Sequence, residues 1–151
     1  MARLRAVQQT PGSTLSEFTT DGCSGGLSAG WAALAQALPA FRSRFGDRPP
    51  YESCCETHDR AYWTGATEDG YGARHAADEA LRACVRDYGS RHRAKFASDF
   101  GISEEQIVRN FEIISTLMYD AVRLGGGPCT ALPWRWGYGW PQCPSETEAK
   151  R

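Results

Sequence analysis

The stretch Cys54-Cys55-Glu56-Thr57-His58-Asp59-Arg60-Ala61-Tyr62 constrains this chain more than any other. Read as a helix, it carries a candidate base, a carboxylate and two disulfide anchors. A second helical stretch, Arg74 to Tyr88, holds Asp78 and Cys84, and its Ala76, Ala77, Ala80, Leu81 and Ala83 allow close approach. Two packed antiparallel helices keep a roughly constant sum of facing residue numbers, because each rises about 1.5 Å per residue. If Cys54 lies opposite Cys84 the sum is 138, so position 60 faces Asp78 and Ala61 faces Ala77. His58 and Tyr62 then sit either side of the Asp78 level, roughly 3 Å each way along the axis, and share a face of their own helix. One carboxylate can accept from an imidazole N–H and from a phenol, which makes an oriented general base able to take a proton from water. Asp59 points about 100° away, where it can do something else, such as hold a cation.

The remaining composition narrows the class. With 151 residues the chain suits one domain, and 41% hydrophobic residues support a modest core. We expect an N-terminal arm over 1–20 and a single domain over 21–151. A net charge of −1 gives no steering toward nucleic acid or an anionic surface. No run of apolar residues is long enough to span a bilayer. Met1 to Thr20 has Arg3 and Arg5 but no apolar core segment, so no secretory signal is expected. Six cysteines nevertheless point to disulfides and an oxidising compartment, secreted or periplasmic. Fifteen full pairings exist; we take Cys23–Cys55, Cys54–Cys84 and Cys129–Cys143. A zinc site on Cys54, Cys55 and His58 is the poorer use of these ligands, because adjacent cysteines on a helix diverge by about 100°.

In chain order, Met1 to Thr20 is polar and expected to be irregular. Gly22, Gly25 and Gly26 around Cys23 mark a tight loop, on its own best read as a plain turn; its carbonyls, with a carboxylate, would also suit calcium. Trp31, Leu34, Leu38, Phe41 and Phe45 give a core-facing helix over Ser28 to Phe45, ended or kinked near Leu38 by Pro39. The central helix is expected over Tyr51 to Trp63, stopping near Gly65, followed by a polar turn over Thr67 to Gly72. Gly89 is expected to break helix in the basic stretch to Gly101. Ser103-Glu104-Glu105-Gln106 is a capping box opening a helix to Leu124, with a stripe of Ile107, Phe111, Ile114, Leu117, Met118, Ala121 and Val122. The tail from Cys129, rich in Trp and Tyr, is either wrapped on the core or touches a lipid interface, and we favour the first. His75 and His92 have no supporting pattern and are expected at the surface.

Taken together, Cys54-Cys55-x-x-His58-Asp59-x-x-Tyr62 resembles the active-site helix of the secreted phospholipase A2 family, whose motif is Cys-Cys-x-x-His-Asp-x-Cys-Tyr. The second helix of that family carries Cys-Asp and a cysteine six residues after the Asp; Ala77-Asp78 and Cys84 match this spacing. The family bonds the motif's third cysteine to the one before that Asp. Here both positions are alanine, Ala61 and Ala77, as a disulfide lost from both sides would leave them. Gly22-Cys23-Ser24-Gly25-Gly26 is similar to the family's calcium loop, with Ser24 where a glycine is usual and a longer stretch before Cys54. The match covers about Asp21 to Val85; with Tyr62-Trp63 and the aromatic tail it looks like a bacterial branch of the family.

The resemblance implies an all-α, disulfide-stapled fold with two antiparallel central helices, an added C-terminal helix and a loop-like tail. It implies Ca2+ held by the carbonyls of Gly22, Ser24 and Gly26 and the carboxylate of Asp59. His58 would activate water against the sn-2 ester of a glycerophospholipid, Asp78 would orient the imidazole, Tyr62 would brace Asp78, and the Ser24 N–H would face the oxyanion. The substrate would be met at a membrane or micelle surface by a monomer. A non-catalytic lipid- or protein-binding module on the same scaffold is the alternative.

Overall fold

The computed structural model describes residues 1–23, 36–37, 39, 42–43 and 46–144. Five helices lie wholly within these residues: α1 (Ala2–Gln9), α2 (Glu52–Thr64), α3 (Gly70–Arg91), α4 (Arg93–Phe100) and α5 (Glu104–Gly125). The described residues are all-helical, with no strand, and no helix is long and apolar enough to cross a membrane. Most of the helix expected over Ser28 to Phe45 lies outside the described residues. Within it Gln36, Ala37, Pro39, Arg42 and Ser43 are helical, so helical backbone recurs beyond Pro39.

Helices α2 and α3 pair in opposite directions at the expected register. Cys54 is bonded to Cys84, with Cα atoms 5.8 Å apart, and Ala61 and Ala77 pack against the same small cluster further along. Ala73 packs there as well, whereas Ala76 and Ala80 face solvent. The other two disulfides join Cys23 to Cys55 and Cys129 to Cys143. All six cysteines are thereby used, which removes the zinc reading. Disulfides of this number indicate an oxidising compartment.

Two clusters form the core at opposite ends of α2. The first joins Cys54 and Cys55 to Tyr51, Leu81, Val85, Phe96, Ile107 and Phe111. The second joins Tyr62 to Leu4, Val7, Trp136 and Cys143. Leu4 and Val7 belong to α1, so residues 2–9 are helix and not an irregular arm. Two apolar residues three apart are a weak helical signal alone; they dock because the tail offers a groove.

Gly89 also departs from expectation. It lies inside α3 and is buried, and the break comes three residues later at His92. A Cβ at Gly89 would sit 2.1 Å from the Cγ of Phe111, so glycine here admits an aromatic ring instead of ending a helix. Gly70 and Gly72 likewise fall within the first turn of α3. The capping box forms in part: the Ser103 side chain accepts from the Gln106 N–H at 3.2 Å, with Glu104 and Glu105 placed favourably for the helix dipole.

The tail is wrapped on the core, and its role is to finish α2. The last carbonyls of a helix have no partner within it. Here Tyr62 and Trp63 carbonyls accept from Gly137 and Gly139 N–H at 2.6 and 3.1 Å. The Thr64 carbonyl accepts from the Trp140 indole at 2.8 Å, and the Ala66 carbonyl from the Trp136 indole at 3.0 Å. Gly65 ends the helix in the left-handed region at φ 57°, and a Cβ on it would lie 2.2 Å from Gly137 Cα. Glycine is therefore required twice over at this crossing.

Candidate active site

Helix α2 presents His58 and Tyr62 one turn apart toward Asp78 of α3, and all three are buried. His58 Nε2 lies 2.9 Å from Asp78 Oδ1, and the Tyr62 hydroxyl donates to the same oxygen at 2.7 Å. A carboxylate accepts, so Nε2 carries the proton and Nδ1 keeps its lone pair. Nδ1 is 3.8 Å from Asp59 Oδ1. Burial lowers the pKa of His58, but the hydrogen bonds and charges of Asp59 and Asp78 outweigh it and raise the pKa overall. For Asp78 burial acts upward, and the bonds from His58, Arg123 and Tyr62 prevail, holding it below the usual carboxylate range.

Beside His58 lies a cavity of about 260 Å³. Its polar end is Gly22, His58 and Asp59; its walls are Leu81, Ile114, Leu117, Met118, Ala121, Val122 and Trp134. This revises the expected stripe of α5. Ile107, Phe111 and Met118 are buried as core, but Leu117 is 63% exposed, and with Ile114, Ala121 and Val122 it lines the cavity. A second cavity of about 230 Å³ adjoins it, lined by Thr19, Thr20, Asp21, Asp59, Pro133, Trp134 and Tyr138. Asp59 and Trp134 belong to both.

The oxygen donors gather where these cavities meet. Asp59 is buried, and its Oδ2 accepts from the Thr20 hydroxyl at 2.6 Å; that hydroxyl accepts from the Gly22 N–H at 3.0 Å. Asp21 brings a second carboxylate to the space, its pKa raised by partial burial and then by the charge of Asp59. Ser24 and Gly26 lie outside the described residues. Among the described residues no group of three or more His, Cys, Asp or Glu side chains gathers as a metal cluster. What the residues do offer is two carboxylates and a glycine of the expected loop, an all-oxygen set that fits a hard cation.

Sequence reasoning expected His58 and Tyr62 to meet Asp78, as they do; it expected Asp59 and Gly22 as calcium ligands, and both line the first cavity. It missed Asp21, Arg74 and Arg123. Arg74 is buried and donates through Nε to the Tyr62 hydroxyl at 3.0 Å. Arg123 Nη1 donates to Asp78 Oδ2 at 2.7 Å. Arg74 was legible, since it stands one turn before Asp78 on the face turned to Tyr62. His75 is at the surface as expected; His92 is half-buried, with its Nδ1 2.8 Å from the Tyr88 carbonyl.

No family model, no curated protein and no solved structure matches this chain.

Proposed function

We propose that this chain is a calcium-dependent lipid hydrolase of the phospholipase A2 type, cutting the sn-2 ester of glycerophospholipids outside the cytoplasm. One observation carries the reading: a buried histidine bonded through Nε2 to a buried aspartate, with the mouth of an apolar cavity beside it. The helix pair with its two adjacent cysteines, each bonded to a different element, supports a phospholipase A2-like arrangement.

In this mechanism the neutral His58 takes a proton at Nδ1 from a water molecule as the water oxygen bonds to the ester carbonyl carbon. Asp78 stabilises the imidazolium that forms, and Tyr62 keeps the carboxylate in place. The tetrahedral intermediate collapses with cleavage of the bond to the glycerol oxygen, which receives the proton from His58. The products are a fatty acid and a lysophospholipid. The apolar walls receive the acyl chain and exclude bulk water, which strengthens the charges at the polar end. Asp59, Gly22 and Asp21 are the residues that would hold calcium, with Ser24 and Gly26 completing the loop by resemblance. When bound, calcium supplies positive charge for the substrate phosphate and the developing oxyanion.

The test is release of fatty acid from phosphatidylcholine or phosphatidylglycerol vesicles with calcium. EDTA or His58→Gln is expected to abolish it, and activity surviving both would remove the mechanism. Asp59→Lys is expected to lose calcium binding by calorimetry with the fold retained; unchanged affinity would count against the site. Vesicle binding without hydrolysis would instead favour the non-catalytic module.

A further inference from the structure

We propose that Arg123 is a positioning residue of this site, acting through Asp78 to keep the ring of His58 in its reactive tautomer and orientation. This rests on the reading of His58 as the base. Asp78 is fully buried, and a buried carboxylate needs both hydrogen bonds and an opposite charge. Its Oδ1 receives His58 and Tyr62, which are both neutral when the imidazole is able to take a proton. Its Oδ2 receives Arg123. In that state Arg123 is the cation paired with Asp78 among the described residues. Without it, Asp78 would have to take up a proton or turn toward another donor. Either change removes the acceptor that fixes the Nε2 proton of His58.

The end of α5 that carries Arg123 is itself held by Arg74 of α3. Arg74 Nη2 donates to the carbonyls of Val122 and Arg123, at 2.7 Å each. The same side chain donates through Nε to the Tyr62 hydroxyl, which directs the phenol proton onto Asp78. Two arginines thus tie the last turn of α5 to the His–Asp pair. α5 also supplies Ile114, Leu117, Met118, Ala121 and Val122 to the cavity wall, so the wall and the anchor share one helix.

The experiment compares Arg123→Gln, Arg123→Lys and, as control, Arg82→Gln, which removes the Arg82–Glu112 pair between the same two helices away from the site. For Arg123→Gln we expect kcat on vesicles to fall about 10- to 100-fold with KM little changed, since misplacement alone costs this much. Arg123→Lys is expected to recover most of the loss, and Arg82→Gln to show none. A second readout needs no activity: the Nε2 proton of His58, followed by NMR in 15N-histidine-labelled protein, is expected to exchange with solvent about tenfold faster in Arg123→Gln alone. Wild-type kcat and exchange in Arg123→Gln, or equal losses in Arg82→Gln, would overturn the proposal. If the wild-type protein releases no fatty acid, the hydrolase reading fails, and the exchange rates still decide whether Arg123 holds the pair. Should Arg123→Gln not fold, Arg123→Met, which preserves the packing of the stem, is judged by the same two measures.

Discussion

The two ends of α2 are held by different means. At its start, Cys54 and Cys55 are bonded to Cys84 and Cys23, and Tyr51, Phe96 and Phe111 pack around them. At its end, where the register puts Ala61 against Ala77, no covalent tie exists. There the tail donates to one carbonyl after another, Trp136 fills the space beneath, and Gly65 and Gly137 let two backbones touch. A covalent tie sets register whatever surrounds it. A hydrogen-bonded end needs particular residues at particular places. His58 lies between the two, so its placement depends on both.

Substitutions at each end weigh one mode of support against the other. Trp136→Ala empties the largest fully buried side chain of the second cluster and leaves the Ala66 carbonyl without its indole. We expect a loss of about 3–5 kcal/mol in urea unfolding, the largest of the series. Replacing Cys54 and Cys84 together by serine opens a loop of 30 residues, with an expected cost of roughly 3.5 kcal/mol by chain entropy. If the double serine variant costs more than Trp136→Ala, the crosslinked end is the dominant one and the ranking is reversed. Gly65→Ala adds a Cβ against Gly137 in a left-handed turn, and we expect about 1–3 kcal/mol. A neutral result there would show that the tail can shift away from the helix end.

The smallest effect is expected from pH, and it reports on the middle of α2. The folded-state pKa of His58 is raised above that of the unfolded chain. Its contribution to stability is therefore complete below about pH 6.5 and is lost as pH rises through the folded value. The urea midpoint should drift downward across that range in the wild-type protein and flatten in His58→Gln. Asp78 acts in the opposite sense: its lowered pKa contributes stability above the usual carboxylate range that is lost as pH falls through the folded value. If the proposed hydrolysis uses neutral His58, activity should rise along an acid limb above about pH 6.5.

How much of this was legible depended on whether a residue had a marker of register. The disulfide of Cys54 with Cys84 aligned α2 on α3, so the contacts of Asp78 with His58 and Tyr62 followed from helical rise alone. Arg74 was open to the same arithmetic. Arg123 was not, because α5 packs on α3 with no crosslink and no motif to align them. Gly89 reads as a breaker until Phe111, twenty-two positions later, is known to press on it. Helix α1 shows only Leu4 and Val7 on its inner face, and what makes them core is a tail more than a hundred residues away. Local patterns give elements; which distant segment completes them is a property of the assembled chain.

The tail has a consequence for timing. Synthesis runs from the N-terminus, so the segment bearing His58 and its partner Asp78 emerges well before residues 136–140. Until those arrive, the trailing carbonyls of that helix can only be wetted, and the groove under Leu4 is open. Under the proposed function, the His58–Asp78 pair would be fully supported only after residues 136–140 have docked and the thiols have been oxidised.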